Sequence, residues 1–539
     1  MANARAKVFW LPELIDSILT YADSRCLVNL MTTSKMFFSA AAPHTWETVS
    51  GAAPLFQFLP CNISKEGVLI DGLWYYGSFT FNTPSSEFDL SRLNIYAPYV
   101  KHLDLFKRED NLKLTYGWEV LFDFINAGHT LLPNLVTLSL KLPLHYLCPS
   151  IHPYPWILVF CSHTLRSVSI DASLGKISPR VGSGLCHLLF ERCPNLAVLE
   201  FDMSAEEIES DQNKYLSLQS KEIDHIPKLL RSDSTLQRLS VDVCFVNEYL
   251  LLVSRMHNLQ SLEVRDKRRN PVSMQTQLSP SSFPALEALT FSEIYLSKIE
   301  VFWERMPELF TKLTKLKCVP DATDYSDGDH EPRLGFPFRF AIALKDKSPN
   351  ITDLSIHFDP RDYYAANNIL HIDKNTLQML ARLPLQRLSV QSITIGRREY
   401  NGSQTCGLLA STFPNIEVLR WMSQPVRCED LQAFTDMPNL RHLGLYLTKD
   451  ETKMSAGLNS GDITRPRTPL RILEVDIDYD GWLPVVGYIA RIWPVVRMIP
   501  AQIDGWIHPE SATRIRDKYK LINAFIALSR DDALLSTTS

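Results

Sequence analysis

Apolar residues recur along most of the chain in one short phrase, Pro-Asn-Leu-x-x-Leu-x-Leu or a near variant. The clearest copies are PNLVTLSL (133–140), PNLAVLEF (194–201), HNLQSLEV (257–264), PALEALTF (284–291), PNITDLSI (349–356), PNIEVLRW (414–421) and PNLRHLGL (438–445). Weaker copies are YVKHLDL (99–105), TLRSVSI (164–170), TLQRLSV (235–241), KLTKLKC (312–318), PLQRLSV (384–390), PLRILEV (469–475) and PVVRMIP (494–500). Their first apolar anchors, from Val100 to Val495, are spaced about 23 to about 40 residues apart and about 30 on average. Within x-Leu-x-Leu-x the side chains alternate, which is the period of a strand. Leu138 and Leu140, Leu199 and Phe201, and Leu443 and Leu445 are therefore expected inside, with their flanking residues on the opposite, concave face. The leading Pro-Asn supplies a turn into the strand.

Between the phrases, segments such as 184–192, 247–256 and 376–383 have amphipathic helical patterns. Each repeat thus reads as a strand plus a helix or irregular return. Stacked repeats make an α/β, leucine-rich-repeat solenoid, with a parallel sheet on the concave face and helices and loops outside. Strands centred on Leu138, Leu199, Leu262, Leu289, Leu354, Leu388, Leu419, Leu443 and Leu473 are expected side by side in chain order. A doubly wound sheet also alternates strands and helices, but it has no reason to repeat one turn-plus-strand phrase.

The first fifty residues have a different pattern. Leu11-Pro12-Glu13-Leu14 opens a helix, with proline and an acidic residue suited to its first turn. Leu14, Ile15, Ile18 and Leu19 form its apolar stripe. Asp23-Ser24 offers a second cap, followed by Leu27, Leu30 and Met31. Ser34 leads into a third helix that is expected to stop at Pro43. In order and spacing this stretch resembles the F-box, at Leu11, Pro12, Glu13, Leu14; Ile18, Leu19; Leu27, Leu30; Ser34, Lys35, Phe37; and Trp46, Val49. Thr45 stands where a leucine usually precedes the tryptophan, and Cys26 replaces a frequent aspartate.

Together with the solenoid, the chain resembles the F-box and leucine-rich-repeat proteins in their divergent, fungal-like style. The expected organisation is an F-box-like three-helix head at 8–50, the solenoid at 51–505, and a C-terminal helix and tail at 506–539. The resemblance implies a substrate receptor of an SCF-type cullin-RING ubiquitin ligase, with no catalytic residue of its own and no cofactor. The head would dock on a Skp-family linker, and through it a cullin, by Leu11, Pro12, Glu13, Leu14, Ile15, Ile18, Leu27, Leu30, Ser34, Phe37 and Trp46. The repeats would hold an unknown protein substrate. The alternative is a repeat scaffold or ligand-sensing protein whose head is only a solenoid cap.

Composition narrows this reading further. Hydrophobic residues make up 45% and charged residues 21%, so a large core can be buried. The net charge of −5 provides no electrostatic footprint for nucleic acid. Ten scattered cysteines without a CxxC pair fit neither a zinc ribbon nor a disulfide framework. Acidic residues interrupt the N-terminus, and the uncharged stretch 142–165 is rich in proline, so neither a secretory leader nor a membrane helix is expected. A reducing compartment, cytoplasmic and/or nuclear, follows from free thiols.

Candidate chemistry is confined to the concave face. Its charge is acidic from Asp171 to Glu263, basic at Lys315, Lys317, Arg387 and Arg420, and acidic again in the last clear repeat. Arg387 and Arg420, with His442, Tyr446, Glu474 and Asp476 nearby, are the candidate substrate contacts, because guanidinium groups suit a carboxylate or phosphate. Asp476-Ile-Asp478-Tyr-Asp480-Gly481 begins like a calcium loop, but position twelve is Gly487 and the segment prolongs a strand. The acidic stretch 321–331 and Lys267-Arg268-Arg269 read as loops between repeats. No phosphate-binding, dinucleotide-binding or hydrolase motif occurs.

Overall fold

A computed structural model of the chain describes residues 11–59, 62–64, 68–70, 73–75, 77–80, 89–105, 112–116, 118–140, 153–170, 179–201, 234–266, 278–279, 281–294, 296–320, 332–358, 370–396, 402–448, 468–475, 482–500 and 509–536. Two compact units divide the chain. The first is 1–262 with 283–285, and the second is 263–282 with 286–539.

The first unit begins with three helices, α1 (Pro12–Thr20), α2 (Ser24–Met31) and α3 (Lys35–Trp46). Their starts follow local chemistry. Pro12 occupies the first turn of α1, where no amide donor is needed. Asp23 caps α2 by accepting from the Cys26 amide at 2.7 Å, and Ser34 caps α3 by accepting from the Phe37 amide at 3.3 Å. Ile15, Leu19, Leu27 and Ala41 form the core of the three helices, with Ala22, Leu30, Met31, Met36 and Ala40 packed around it.

The expected stop at Pro43 is corrected, because α3 continues through it to Trp46. One interior proline removes a single hydrogen bond, and packing beyond it holds the last turn. Trp46 lies against Tyr96 and Phe58, at ring-centroid distances of 4.7 and 5.6 Å. Val49, grouped above with the head, is the buried residue of the first strand.

In the first unit the strands β1 (Thr48–Ser50), β2 (His102–Asp104), β3 (Thr137–Leu140), β4 (Ser167–Ile170), β5 (Val198–Glu200) and β6 (Arg238–Asp242) pair parallel in chain order. One rung of the ladder is Val49, Leu103, Leu138, Val168, Leu199 and Leu239. Strand β7 (Ser261–Arg265) lies where the chain passes from the first unit to the second. In the second unit the order is β8 (Ala288–Ile294), β9 (Lys315–Pro320), β10 (Asp353–His357), β11 (Arg387–Gln391), β12 (Val418–Val426), β13 (His442–Leu447), β14 (Ile472–Val475) and β15 (Arg497–Pro500). Leu289, Leu316, Leu354, Leu388, Leu419, Leu443, Leu473 and Met498 make its buried rung. Each unit is therefore an α/β repeat array with a parallel sheet, one face covered by helical or irregular returns and the other open.

In six of the repeats the position before the apolar anchor does more than turn the chain. Asn134, Asn195, Asn258 and Asn350 donate through Nδ2 to the carbonyls of Pro98, His163, Ser234 and Thr311, at 2.7, 3.0, 2.8 and 2.7 Å. Each acceptor lies two residues before the anchor of the preceding repeat. Thr164 and Thr235 make the equivalent bond to Pro133 and Pro194, at 3.0 and 3.1 Å. In these six repeats the phrase carries its own repeat-to-repeat tie, which satisfies carbonyls that the strand ladder leaves over.

The helix Pro509–Ser536 closes the second unit at its last strand. Asn523 accepts from the Met498 amide at 2.8 Å and donates to the Met498 carbonyl at 2.9 Å. Tyr519 donates to the Val475 carbonyl. A side-chain amide thereby stands in for one residue of a missing strand, which blunts an edge that could otherwise pair with another chain.

Candidate functional site

Two surfaces carry the sequence candidates: the outer side of the head, and the open sheet face of the second unit. On the head, α1 has two apolar stripes rather than one. Ile15, Leu19 and Ala22 point into the helical core. Leu11, Leu14, Ile18 and Tyr21, offset by one position and again at helical spacing, face solvent, with Ile18 59% and Tyr21 88% exposed. Val28 of α2 is also exposed.

The expectation that Ile15 and Leu27 lie exposed is corrected, since both are core residues of the head. Leu30 and Phe37 are half-buried, Ser34 is spent on its cap and Glu13 is exposed. The Pro12 side chain lies outside the described residues. Tyr21 and Val28 were missed; the three- and four-residue spacing from Leu11 to Tyr21 is the pattern that could have found Tyr21. His44 of α3 meets Asp16 of α1 at 2.8 Å and ties the two helices together.

On the open face of the second unit, the expected free basic pair is corrected. Arg420 makes a two-point ion pair with Glu474, Nε to Oε2 at 2.7 Å and Nη2 to Oε1 at 2.6 Å. The Glu474 side chain is 2% exposed and that of Arg420 20%. Arg420, Gly444 and Glu474 share one rung across β12, β13 and β14. With no side chain between them, the guanidinium crosses the middle strand. A Cβ on Gly444 would sit 3.1 Å from both Arg420 Cγ and Met422 Sδ. His442 adds a contact to Glu474 at 3.1 Å. Burial makes the carboxylate need these partners, and they occupy the arginine fork.

Arg387 is looser, with one contact to Asp353 at 3.4 Å and a largely exposed side chain. Tyr446 is exposed, and Asp476 lies outside the described residues. Lys315 and Lys317 of β9 are exposed. Beside them, His357 Nε2 meets the Ser355 and Ser389 hydroxyls at 2.9 and 3.0 Å.

No protein-family model matches this chain, and no curated protein matches it. Among solved structures, an internalin from Listeria monocytogenes is similar over 90% of this chain and 95% of its own, at 11% identity and a TM-score of 0.27. The fold assignment rests on the strand register itself.

In the first unit, the open face is also internally paired. Ser169 donates to Glu200, Arg238 approaches Glu200 at 3.8 Å, and His102 meets Thr137 at 2.7 Å. Asp242, which the strand alternation of TLQRLSV extended by one residue puts on this face, instead caps the helix Val243–Val253 through the Phe245 amide at 2.9 Å. Lys141, Asp171, Asp202, the acidic stretch 321–331, Lys267-Arg268-Arg269 and the calcium-like segment lie outside the described residues. Among the described residues, no three His, Cys, Asp or Glu side chains gather as metal ligands. No described helix is long and apolar enough to cross a membrane.

Six of the seven described cysteines are buried, and all seven are free. Burial pushes the thiols of Cys186 and Cys428 up to about 12. Cys26 alone of the seven is exposed, and its hydrogen bond to Asp23 also raises its thiol.

Proposed function

We propose that this chain is a non-catalytic recognition adaptor of an SCF-type ubiquitin ligase. In this reading the head docks on a Skp-family linker, the repeats hold a protein substrate, and partner subunits perform ubiquitin transfer. The observation that carries it is the exposed stripe Leu11, Leu14, Ile18 and Tyr21, left over after the head has completed its own core with Ile15, Leu19 and Leu27. A clustered apolar surface on a helix is a recognition feature, because a partner's groove can bury it at helical spacing.

The cap reading also has an observation in its favour. Phe38 and Trp46 pack on Tyr96, at ring-centroid distances of 6.0 and 4.7 Å, so α3 leans on the first unit's own residues. A cap needs that contact, but it does not need an apolar stripe on the far side of α1.

Co-purification of the full chain with a Skp-family linker separates the two readings. Leu14→Asp/Ile18→Asp should cut linker capture by at least about tenfold, a loss of about 1.4 kcal/mol. Its melting temperature should stay near wild type, as for other surface changes. Wild-type protein that captures no linker, or a variant that captures it fully, rejects the adaptor reading. A variant that instead melts early supports the cap.

A further inference from the structure

Two return helices of the first unit, Pro153–Phe160 and Pro179–Arg192, each run straight into a cysteine. The Cys161 amide donates to the Ile157 carbonyl and the Cys193 amide to the Leu189 carbonyl, both at 2.8 Å, so each cysteine closes the last turn of its helix. A short turn then leads into β4 after Cys161 and into β5 after Cys193. The two turns are tied together. Asn195, two residues beyond Cys193, donates to the carbonyl of His163, two residues beyond Cys161, at 3.0 Å. The strands that follow are in register, Ser167 on Val198 and Val168 on Leu199. Neighbouring strands lie about 4.8 Å apart, which falls within the Cα separation of about 4.4–6.8 Å that a disulfide spans.

The two thiols meet across this joint. Cys161 donates its thiol hydrogen to the Cys193 sulfur, and the Ser162 amide donates to the same sulfur. Those two donors, the thiol foremost, and the neighbouring Arg192 charge hold the Cys193 thiol below the usual cysteine value against its burial. Its bond to Cys193, together with burial, pushes the Cys161 thiol up. Burial alone acts on Cys186 of the same helix as Cys193 and pushes that thiol up to about 12. A nucleophilic sulfur and a protonated partner are thereby set side by side in adjacent repeats. Both cysteines are buried and free, while Pro194 and Asn195, directly after Cys193, are exposed. A sulfur so close beneath the surface is closed to bulky oxidants, but small local openings admit a molecule the size of hydrogen peroxide.

We propose that Cys161 and Cys193 are a peroxide-responsive pair that closes to a disulfide between two neighbouring repeats. The Cys193 thiolate attacks one oxygen of hydrogen peroxide and the O–O bond breaks. The sulfur becomes a sulfenic acid, and the other oxygen takes a proton and leaves as water. The Cys161 sulfur then attacks the Cys193 sulfur. The S–S bond forms, the S–O bond breaks, and the hydroxide leaves with the Cys161 proton as a second water. In sum, two thiols lose two hydrogens and two electrons, and one hydrogen peroxide becomes two waters. Exchange with a dithiol restores both thiols. The bridge pins the turn before β4 to the turn before β5 and restricts the unfolded chain. This inference goes beyond the adaptor reading and holds whether or not the head docks on a linker.

The test treats the full chain with hydrogen peroxide under conditions that keep its native melting transition. Remaining thiols are blocked with a maleimide, and unreduced peptides are mapped by mass spectrometry, with fragmentation assigning each sulfur. Wild-type protein should yield a Cys161–Cys193 link that raises the melting temperature by about 2 °C or more and is undone by a dithiol. A cyclic 1,3-diketone, which traps sulfenic acids, separates the two roles. Cys161→Ala should leave a trapped adduct on Cys193, and Cys193→Ala should leave none on Cys161. Where a variant melts early, the wild-type link and its reversal decide alone. No Cys161–Cys193 link in wild-type protein, a link that appears only once the chain has melted, or a trapped adduct on Cys161 in the folded Cys193→Ala variant overturns the assignment.

Discussion

Gly444 sits on the middle strand of three, between Arg420 and Glu474, and the absence of its side chain lets the ion pair close across it. Gly444→Ala should cost about 1–3 kcal/mol, because the added carbon meets Arg420 and Met422 within a packed face. Arg420→Met should cost more, about 3–5 kcal/mol, by taking the two-point ion pair from the buried Glu474 carboxylate. Arg420→Met/Glu474→Leu should recover much of that loss. Thermal unfolding of the three variants decides this, and a double variant no better than Arg420→Met would refute the account.

Asp430 makes a pH-dependent case of the same physics. Burial, with help from neighbouring Glu429, holds its carboxyl above the usual range, against the hydrogen bond from the Arg427 amide. A carboxyl raised on folding binds more protons folded than unfolded, so its contribution is full below the ordinary carboxylate pKa and is lost as pH rises through the raised value. Asp430→Asn should therefore stabilise the chain near neutral pH, and the gain should vanish as pH falls into the ordinary carboxylate range. A variant less stable than wild type at neutral pH would mean that the hydrogen bond outweighs the burial.

At the scale of the element, the repeat is a strand with a polar tie at its entrance. Asn195→Ala removes the donor to the His163 carbonyl and should cost about 1 kcal/mol. Asn195→Thr should cost less, since Thr164 and Thr235 make the same bond in their own repeats. Leu443→Ala truncates a fully buried strand residue and should cost about 2–5 kcal/mol; a melting temperature within error of wild type would contradict its burial. At the closing end, Asn523 serves an edge rather than a core. Asn523→Ala should raise concentration-dependent self-association, read by light scattering, because Met498 regains an open donor and acceptor.

For the whole molecule, the thiols report which parts of the chain are closed to water. Thiolates are the reactive form, and burial suppresses them. Brief alkylation of the native protein at mildly alkaline pH, read peptide by peptide, should label Cys26 well before Cys186, Cys318, Cys406 or Cys428. Early labelling of Cys186 or Cys428 would show that the repeats around them open locally. The expected result describes a molecule whose repeats are rigid and whose head presents its surface.

The array itself was legible in the sequence, because its cause is local. Two inward apolar residues, a turn before them and a helical return after them are all set within one repeat, and repetition leaves chain order as the strand order. Helix starts at Pro12, Asp23 and Ser34 were legible for the same reason, since a cap is a contact over three residues. What the tertiary structure decided involves residues far apart in the chain. It chose which of two adjacent helical stripes, Ile15 and Leu19 or Leu14 and Ile18, became core, because a stripe is buried only where another helix arrives to cover it. It carried α3 past Pro43 by stacking Trp46 on Tyr96 and Phe58. It closed Arg420 on Glu474, 54 positions away, and left Lys315 and Lys317 exposed. Sequence alternation assigns a charge to a face; only the register across strands determines whether an opposite charge already stands beside it.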